Sequence, residues 1–305
     1  MLKHYIHIAR PDHWFKNIFM LPGMIMALYY RQFSLSGTKP AYIVLGILAT
    51  CLIASANYVI NEWLDMEFDR FHPVKKNRPA VTANLNKRII YTEYILLALT
   101  GLVLSYIVSL RFLLVESFFL LMGILYNVKP FRTKDKAYLD VLSESVNNPI
   151  RFILGWLLMG IYFFPPSSIL IAYWMGGAFL MSTKRFAEYR FIGDPETAGK
   201  YRQSFRSYTE GRLLTSTVFY ALCSSFFLAI FLIKHRIELL ISFPFLALLF
   251  TWYLHIGFEE NSIVQTPERL YTKKGFVAYV FFLFVLLVVL LKIDIPMLDW
   301  FIKNY

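Results

Sequence analysis

A short acidic segment carries side chains that could bind a divalent cation. Asn61, Asp65 and Asp69 are spaced four residues apart, and Glu62 lies three residues before Asp65. On a helix, this spacing places the three side chains on one face. Stacked carboxylates repel one another and destabilise a helix, and the cost rises near a membrane. A bound cation removes that cost, so the segment predicts a metal site formed by Asn61, Glu62, Asp65 and Asp69.

Basic residues follow the acidic segment within a few positions. His72, Lys75 and Arg78 lie in a loop that Pro73 and Pro79 stiffen. Oxygen ligands without a nearby cysteine favour Mg²⁺ over zinc, and Mg²⁺ binds carboxylates, water and phosphate oxygens together. Cations around a metal-bridged diphosphate stabilise it as a leaving group. We therefore expect a Mg²⁺-bound diphosphate here, with Lys75 and Arg78 as phosphate ligands. The alternative is a solvated helix end with scattered acids.

A second group of charges follows an apolar segment in the middle of the chain. Lys184 and Glu188 are four residues apart, and Arg185 follows Lys184 directly. These residue types predict a second acidic position at Glu188, with Lys184 and Arg185 as phosphate ligands. The alternative is a surface ion pair, which contributes only a fraction of a kcal/mol.

Two further segments place polar residues at or inside apolar runs. Tyr126 and Lys129 end one run, and Arg151 lies inside another. An unpaired charge within a membrane is costly, so we expect Arg151 to line a polar cavity or bind substrate, with Asp140 or Glu144 as its partner.

Lys16 and Asn17 lie near the start of the chain, after an aromatic residue of the kind that anchors helices at the membrane surface, Trp14. They could bind a lipid phosphate. The alternative is that Lys16 extends its charge to the headgroups without binding substrate.

The composition places these residues in a membrane protein. Of the 305 residues, 57% are hydrophobic and 17% are charged, whereas soluble domains carry roughly 25% charged residues. Apolar blocks of about 20 residues are typical of transmembrane helices. We predict nine spans, at 18–30, 41–60, 89–109, 112–126, 146–163, 167–183, 213–233, 239–256 and 276–293. The sequence therefore predicts an all-α, polytopic membrane protein, a bundle of nine transmembrane helices in a single integral-membrane domain over 1–305.

The basic residues orient the predicted spans. With the N-terminus inside, 23 of the 31 Lys and Arg residues lie on the inner side and 7 on the outer side. The positive-inside rule then assigns the N-terminus and the charged segments 61–88, 127–145, 184–212 and 257–275 to the cytoplasmic face of the inner membrane. The net charge of +11 is explained by anionic lipid and substrates rather than by nucleic acid. Cys51 and Cys223 lie in apolar runs and predict neither a disulfide nor a metal site.

These motifs resemble those of the UbiA superfamily of intramembrane prenyltransferases. The first family motif, Asn-Asp-x-x-Asp-x-x-x-Asp, corresponds to Asn61-Glu62-x-x-Asp65-x-x-x-Asp69, with glutamate in the second place. Within the superfamily, the sequence is most similar to the branch of the decaprenyl-phosphate phosphoribosyltransferases. The matching segments are Arg10-Pro11-x-x-Trp14-x-Lys16-Asn17, His72-Pro73-x-Lys75-x-x-Arg78-Pro79 and Lys184-Arg185-x-Ala187-Glu188.

The resemblance implies a nine-helix fold of the UbiA type and a Mg²⁺-dependent transferase. It implies transfer of 5-phosphoribose from phosphoribosyl diphosphate to a polyprenyl phosphate lipid, with Asp65, Asp69, Lys184 and Glu188 as catalytic residues. The implied substrate-binding residues are Lys16, Asn17, Lys75, Arg78, Tyr126, Lys129, Arg151 and Arg185.

Two alternatives stay open at this point. An ordinary member of the superfamily would move a prenyl group from a prenyl diphosphate to an aromatic or other small acceptor. Such an enzyme needs a second acidic metal site where this chain has Lys184 and Arg185. A transporter or lipid-binding protein without catalysis is the other alternative, and nine spans with no obvious inverted repeat argue against it.

Overall fold

The structure, a computed structural model, describes residues 2–35 and 39–298. Within these ranges the secondary structure is helical and no strand occurs. The α-helices are Leu2–Ile8 (α1), Leu21–Tyr30 (α2), Pro40–Asp69 (α3), Pro79–Thr82 (α4), Lys87–Val108 (α5), Leu110–Asn127 (α6), Leu139–Ser145 (α7), Asn147–Leu158 (α8), Ser167–Ile192 (α9), Pro195–Tyr201 (α10), Glu210–His235 (α11), Phe243–Phe258 (α12) and Lys274–Leu290 (α13). The 3₁₀ helices are Pro11–Met20, Lys75–Asn77, Thr133–Asp135, Gln203–Arg206, Ile237–Ser242, Ile263–Gln265 and Pro267–Thr272.

Long apolar helices make the chain an integral membrane protein. Within the described ranges, five helical segments are long and apolar enough to cross a membrane: Pro40–Asp69, Lys87–Val108, Leu110–Asn127, Glu210–His235 and Ile237–Phe258. They expose large apolar side chains such as Leu96, Leu222 and Phe226, each more than half accessible. Such a surface is unfavourable in water and stable against lipid. The prediction of an all-α, polytopic membrane protein is confirmed.

The predicted spans agree with the observed helices in position but not always in length. Each of the nine predicted spans overlaps a helical segment of the described chain, but some of these segments are shorter than predicted. The span predicted at 146–163 corresponds to α8, which ends at Leu158. Gly160 follows with a φ of 72°, a left-handed conformation that favours glycine and stops the helix. The count of nine crossings stays a prediction.

Helix α3 positions the acidic motif. Pro40 begins the helix, where its missing N–H costs nothing, and Asp69 ends it four residues before Pro73. The helix has 30 residues, or roughly 45 Å, whereas the hydrocarbon core is roughly 30 Å thick. The last turns of α3, which carry the acidic motif, can therefore extend past the hydrocarbon.

The described chain divides into two compact units. The first contains Met1–Pro165 together with Ile192–Thr209, which we call the return segment because the chain comes back to this unit there. In this unit α3 packs along α5 and contacts α6, and α2 packs on α8. Glycines permit the closest approach: a Cβ at Gly23 would lie 2.0 Å from the carbonyl oxygen of Phe152, and one at Gly155 would lie 2.0 Å from that of Met20.

The second unit contains Pro166–Phe191 and Glu210–Tyr305. Here α9 packs on α11 through hydroxyl groups: Ser182 Oγ lies 3.0 Å from Ser216 Oγ and accepts a hydrogen bond from Thr217 Oγ1 at 2.8 Å. The rings of Phe179 and Phe250 stack with centroids 4.6 Å apart, which joins α9 to α12. These contacts set the rotation of α9, and so the direction in which the second charged motif on this helix points.

Candidate functional site

Asp65 and Asp69 line one cleft of the first unit. They lie one turn apart on α3, so both carboxylates reach the same side of the helix. The cleft encloses about 280 Å³, part of it open to solvent. Its lining consists of Asp65, Phe68, Asp69, Arg132, Lys134, Asp135, Tyr201 and Arg202. Tyr201 and Arg202 come from the return segment, so residues far apart in sequence form this site.

Both aspartates of α3 are paired with basic side chains. Asp65 Oδ1 accepts hydrogen bonds from Arg132 Nη2 at 2.9 Å and from Lys134 Nζ at 2.5 Å. Asp69 Oδ2 accepts one from Arg78 Nη1 at 2.6 Å. The lining as a whole contains three carboxylates and three basic side chains. The cleft therefore presents both signs of charge while its net charge is close to zero.

Two of the basic residues come from the segment that follows α6. Arg132 Nε donates to Asp135 at 2.9 Å, and its Nη1 donates to the carbonyl oxygen of Asn127 at 3.0 Å. Lys134 Nζ donates to Asn127 Oδ1 at 2.7 Å. These contacts hold both side chains near the end of α6, where they also meet Asp65 of α3.

The surroundings shift the pKa of two of these cations. Burial lowers the pKa of Lys134 to about 8, with help from Arg132 and against the attraction of Asp65. Burial also acts to lower the pKa of Arg78, but Asp69 and Glu62 outweigh it and hold that pKa above its usual range. Both side chains are therefore predominantly charged at neutral pH.

The other two residues of the acidic motif have partners outside the cleft lining. Asn61 Nδ2 donates to Asn127 Oδ1 at 2.6 Å. Glu62 is buried, and one of its oxygens accepts hydrogen bonds from Arg10 Nε at 3.0 Å and Arg10 Nη2 at 2.7 Å. Their assignment as metal ligands stays a prediction.

The loop after α3 brings Lys75 to the edge of the cleft. His72 Nδ1 accepts hydrogen bonds from the backbone N–H groups of Val74 and Lys75, both at 3.1 Å. Lys75 Nζ contacts the hydroxyl of Tyr201 and lies 4.6 Å from the centre of its ring. The His72 ring packs edge-on against Tyr201 with centroids 4.6 Å apart. The loop and the return segment thus meet at Tyr201.

The predicted residues at the ends of other apolar runs lie outside the cleft lining. Tyr126 donates to Glu144 Oε2 at 2.6 Å, and Lys129 is exposed. Arg151 Nε donates to Asn17 Oδ1 at 2.9 Å, and both side chains are buried.

Lys16 Nζ lies 5.5 Å from the centre of the Tyr58 ring. Substrate binding by Lys16, Asn17, Tyr126, Lys129 and Arg151 stays a prediction.

The second charged motif lies on α9, in the second unit. Arg185 and Glu188 are buried, and Arg185 Nη1 donates to Glu188 Oε2 at 3.2 Å. Lys184 is half-buried. That this motif and the acidic motif of α3 act on one substrate stays a prediction.

Six of the eight lining residues were not selected from the sequence as site residues, namely Phe68, Arg132, Lys134, Asp135, Tyr201 and Arg202. Arg132 and Lys134 follow Tyr126 within eight positions, and their alternation with polar residues after an apolar run was the signal that could have identified them. Tyr201 and Arg202 lie in a generally basic stretch and carry no local pattern that points to the cleft.

The oxygen donors of the cleft fit a magnesium ion. Asp65 and Asp69 supply carboxylate oxygens, and the lining contains neither histidine nor cysteine. In the ranges that the structure describes, the cleft included, no three or more His, Cys, Asp or Glu side chains come together as a metal site of their own. Mg²⁺ commonly takes only one or two carboxylates from the protein and completes its shell with water and substrate phosphates. The two aspartates match that requirement.

Comparison with known proteins identifies the family of this chain. A sequence model of the UbiA prenyltransferase family matches residues 18–265. The chain belongs to the UbiA prenyltransferase family. This membership and the apolar helices make it a membrane-embedded transferase of the UbiA family.

Two curated relatives of this UbiA-family chain are decaprenyl-phosphate phosphoribosyltransferases. That of Mycolicibacterium smegmatis is 30% identical over 209 residues, which cover 68% of this chain and 63% of the relative. That of Mycobacterium tuberculosis is 29% identical over 209 residues, which cover 67% of this chain and 65% of the relative. The match thus spans less than two thirds of the length of either relative.

A solved UbiA structure shares the fold. The structure of a UbiA homolog from Archaeoglobus fulgidus bound to DMAPP and Mg²⁺ matches with a TM-score of 0.70 and 20% identity, over 94% of this chain and 99% of that chain. The predicted UbiA-type fold is therefore confirmed.

Proposed function

We propose that this UbiA-family chain moves 5-phosphoribose from phosphoribosyl diphosphate to a polyprenyl phosphate, with Mg²⁺-assisted loss of diphosphate. The observation that carries the proposal is the cleft, in which two aspartates suited to magnesium lie among three basic side chains. Phosphoribosyl diphosphate has a 5-phosphate in addition to its diphosphate, so its binding site needs more basic side chains than that of a prenyl diphosphate. The curated relatives named decaprenyl-phosphate phosphoribosyltransferase support the same substrates.

The residues of the cleft, together with Arg78, which binds Asp69, would share the work of the transfer. Asp65 and Asp69 would hold Mg²⁺, which supplies neutralisation of the diphosphate as it gains charge on leaving. Arg78, Arg132 and Lys134 would turn from these carboxylates to phosphate oxygens and stabilise the same charge. The bond between ribose C1 and the diphosphate oxygen breaks, and C1 bonds to an oxygen of the acceptor phosphate. That phosphate is already anionic at neutral pH, so no strong general base is needed.

We also propose that the cleft faces the cytoplasm, with the N-terminus on the same side of the inner membrane. The excess of Lys and Arg on the predicted inner segments supports this orientation. The polyprenyl tail of the acceptor would lie against apolar side chains of the spans.

A transfer assay tests the proposal. Purified protein in detergent receives Mg²⁺, a polyprenyl phosphate and a panel of aromatic acceptors, and labelled phosphoribosyl diphosphate or labelled geranylgeranyl diphosphate is offered separately. We expect label from phosphoribosyl diphosphate to move into the lipid. Label that moves only from geranylgeranyl diphosphate into an aromatic acceptor would reject the proposal in favour of ordinary prenyl transfer. Chelation of the metal is expected to stop the reaction in either case.

A further inference from the structure

Asp140 is a buried carboxylate that binds three side chains of the return segment. It has no exposed surface, and its Oδ1 accepts a hydrogen bond from the Tyr208 hydroxyl at 2.8 Å. Its Oδ2 accepts from Ser204 Oγ at 3.1 Å and from Arg202 Nη1 at 3.4 Å. The Tyr208 hydroxyl in turn accepts from the backbone N–H of Tyr138 at 2.6 Å. These contacts fasten the return segment to the start of α7.

Arg202 extends from this anchor into the cleft. It lines the cleft together with Asp65 and Asp69. The cations Arg132 and Lys134 contact Asp65, which is a candidate metal ligand. Asp140, which holds Arg202, is not part of the cleft lining. Arg202 can therefore keep this partner when the carboxylates of the cleft bind another cation.

Geometry and chemistry suit Arg202 for a phosphate. A guanidinium group offers five N–H donors in a planar fork, and Nη1 of Arg202 donates to Asp140 at 3.4 Å and to the Tyr126 hydroxyl at 3.5 Å. The side chain is largely buried, so hydrogen bonds to an anion gain strength from the low local dielectric. A carboxylate behind a guanidinium also keeps it in one orientation, which lowers the entropy lost on binding.

We propose that Arg202 is a phosphate ligand of the substrate and that Asp140 is its positioning residue. The inference deepens the proposed function and rests on it only for the identity of the donor. The ligand class is a phosphate ester or a diphosphate, which share the chemistry that a guanidinium recognises. The return segment is thus a built part of the site.

Binding of two probes to the purified full-length protein tests the role of Arg202. Calorimetry measures the Kd of pyrophosphate in the presence of Mg²⁺ and the Kd of ribose 5-phosphate. Loss of a charge-assisted hydrogen bond corresponds to about 10- to 100-fold weaker binding, so Arg202→Ala should weaken at least one probe by that factor. The affected probe identifies which phosphate Arg202 meets, and Arg202→Lys should recover part of the affinity. Unchanged Kd values for both probes would overturn the assignment.

Arg206→Ala is the matched control. It removes the same side chain four positions later in the return segment, and Arg206 is exposed and outside the cleft lining. We expect its Kd values to equal those of the wild type. A loss as large as that of Arg202→Ala would show that charge on the segment, rather than a contact, is responsible.

A double-mutant cycle tests Asp140. Asp140→Asn preserves size and an oxygen acceptor for Tyr208 but removes the charge that faces Arg202. If Asp140 acts through Arg202, this substitution weakens probe binding about 3- to 10-fold in the wild type and has no further effect in Arg202→Ala. A purely structural role would weaken binding equally in both backgrounds and would refute positioning. Thermal unfolding reports any loss of fold, and Ser204→Ala, a milder change to the same anchor, is measured in the same cycle.

Failure of this inference and failure of the proposed function are distinguishable. The binding measurements use pyrophosphate and ribose 5-phosphate and do not require turnover. Absence of phosphoribosyl transfer alone would reject the donor, whereas unchanged binding in Arg202→Ala would reject the phosphate ligand even in an active enzyme.

Discussion

At the scale of single residues, Asp65 carries the largest expected effect on activity. Its carboxylate lies in the cleft and meets both Arg132 and Lys134. Asp65→Asn keeps the shape but cannot supply the charge for a metal ion, and it leaves two cations without their partner. We expect the rate of transfer to fall about 100- to 1,000-fold, a loss typical of removing one key electrostatic group. Initial rates with labelled donor measure the effect.

Glu67→Gln is the control for that substitution. Glu67 lies on α3 between the two aspartates, but its side chain is exposed and outside the cleft lining. Glu67→Gln removes one negative charge from the same turns of the helix. The rate of transfer by this variant should stay within about twofold of the wild type, because surface substitutions usually have small effects. Full activity of Asp65→Asn would disprove the metal-site assignment.

His72 offers a second test at the residue scale. Its Nδ1 accepts two backbone hydrogen bonds in the loop that carries Lys75. Asparagine places an oxygen acceptor at nearly the same position, whereas alanine has none. We therefore expect His72→Ala to raise the KM for the donor about 5- to 20-fold, the equivalent of roughly 1–2 kcal/mol. His72→Asn should stay near the wild-type KM, and equal losses in both variants would contradict this role of the histidine.

The acidic motif shows how far single residues could be predicted. The spacing of Asp65 and Asp69 predicted a shared face, and both line the cleft because a helix repeats at that interval. Asn61 and Glu62 fit the same pattern but contact Asn127 and Arg10. Spacing fixes the direction of a side chain along a helix. The residue that the side chain then contacts lies far away along the chain, and no local pattern reveals it.

At the scale of elements, the packing of α8 on α2 and on the 3₁₀ helix Pro11–Met20 depends on two glycines. A Cβ at Gly23 or Gly155 would lie 2.0 Å from a backbone carbonyl oxygen, and backbone atoms cannot move aside as a flexible side chain can. We expect Gly23→Ala and Gly155→Ala each to destabilise the protein by about 2–4 kcal/mol, as overpacking does. Thermal unfolding in detergent measures the loss.

Gly211→Ala is the matched control for the two glycines. A Cβ at Gly211 meets no atom within 4 Å, and alanine is the better helix former by roughly 0.5–1 kcal/mol. Its unfolding midpoint should equal or exceed that of the wild type. A midpoint as low as that of Gly23→Ala would indicate that loss of glycine flexibility, rather than close packing, is the cause.

The pair of Arg10 and Glu62 joins the N-terminal segment to α3. Glu62 is buried, so removing Arg10 takes away two hydrogen bonds to its carboxylate and leaves Arg78 as a nearby cation. Arg10→Ala should therefore destabilise the protein by about 1–3 kcal/mol, as measured by chemical unfolding in detergent. The exposed Arg88 provides a control, since Arg88→Ala should change stability by less than about 0.5 kcal/mol.

Elements were predicted more reliably than their ends. Apolar blocks located helical segments throughout the described chain, because a run of apolar residues must pack or face lipid wherever the fold places it. The span predicted at 146–163 extends too far, because α8 ends at Leu158. Residues after Gly160 are apolar too, and Phe163 accepts a hydrogen bond from Trp156 Nε1 at 2.8 Å through its carbonyl oxygen. Hydropathy does not register such a turn.

At the scale of the whole molecule, the proposed orientation can be tested by labelling. In a variant with alanine at Cys51 and Cys223, single cysteines replace Lys76 and Tyr162, both of which are exposed. A membrane-impermeant maleimide should label Tyr162→Cys in intact cells and Lys76→Cys only after permeabilisation. The reverse pattern would invert the proposed topology, and labelling after denaturation controls for the presence of each thiol.

The family and the fold were within reach of the sequence, whereas the full composition of the cleft was not. Motifs around Asp65, Asp69 and Lys75 are local, so a resemblance carries them directly to numbered residues. Arg202 is 133 residues beyond Asp69. Only the three-dimensional path of the return segment brings it to the same cleft.

That path has a consequence for biosynthesis. Asp140 leaves the ribosome before Arg202, Ser204 and Tyr208, so the nascent chain holds this carboxylate without the partners that later surround it. Synthesis of α9 separates the anchor from the segment that it binds. The cleft is therefore among the last parts of the first unit to be completed, and a nascent chain that stalls before Tyr201 carries both aspartates of α3 but lacks Tyr201 and Arg202.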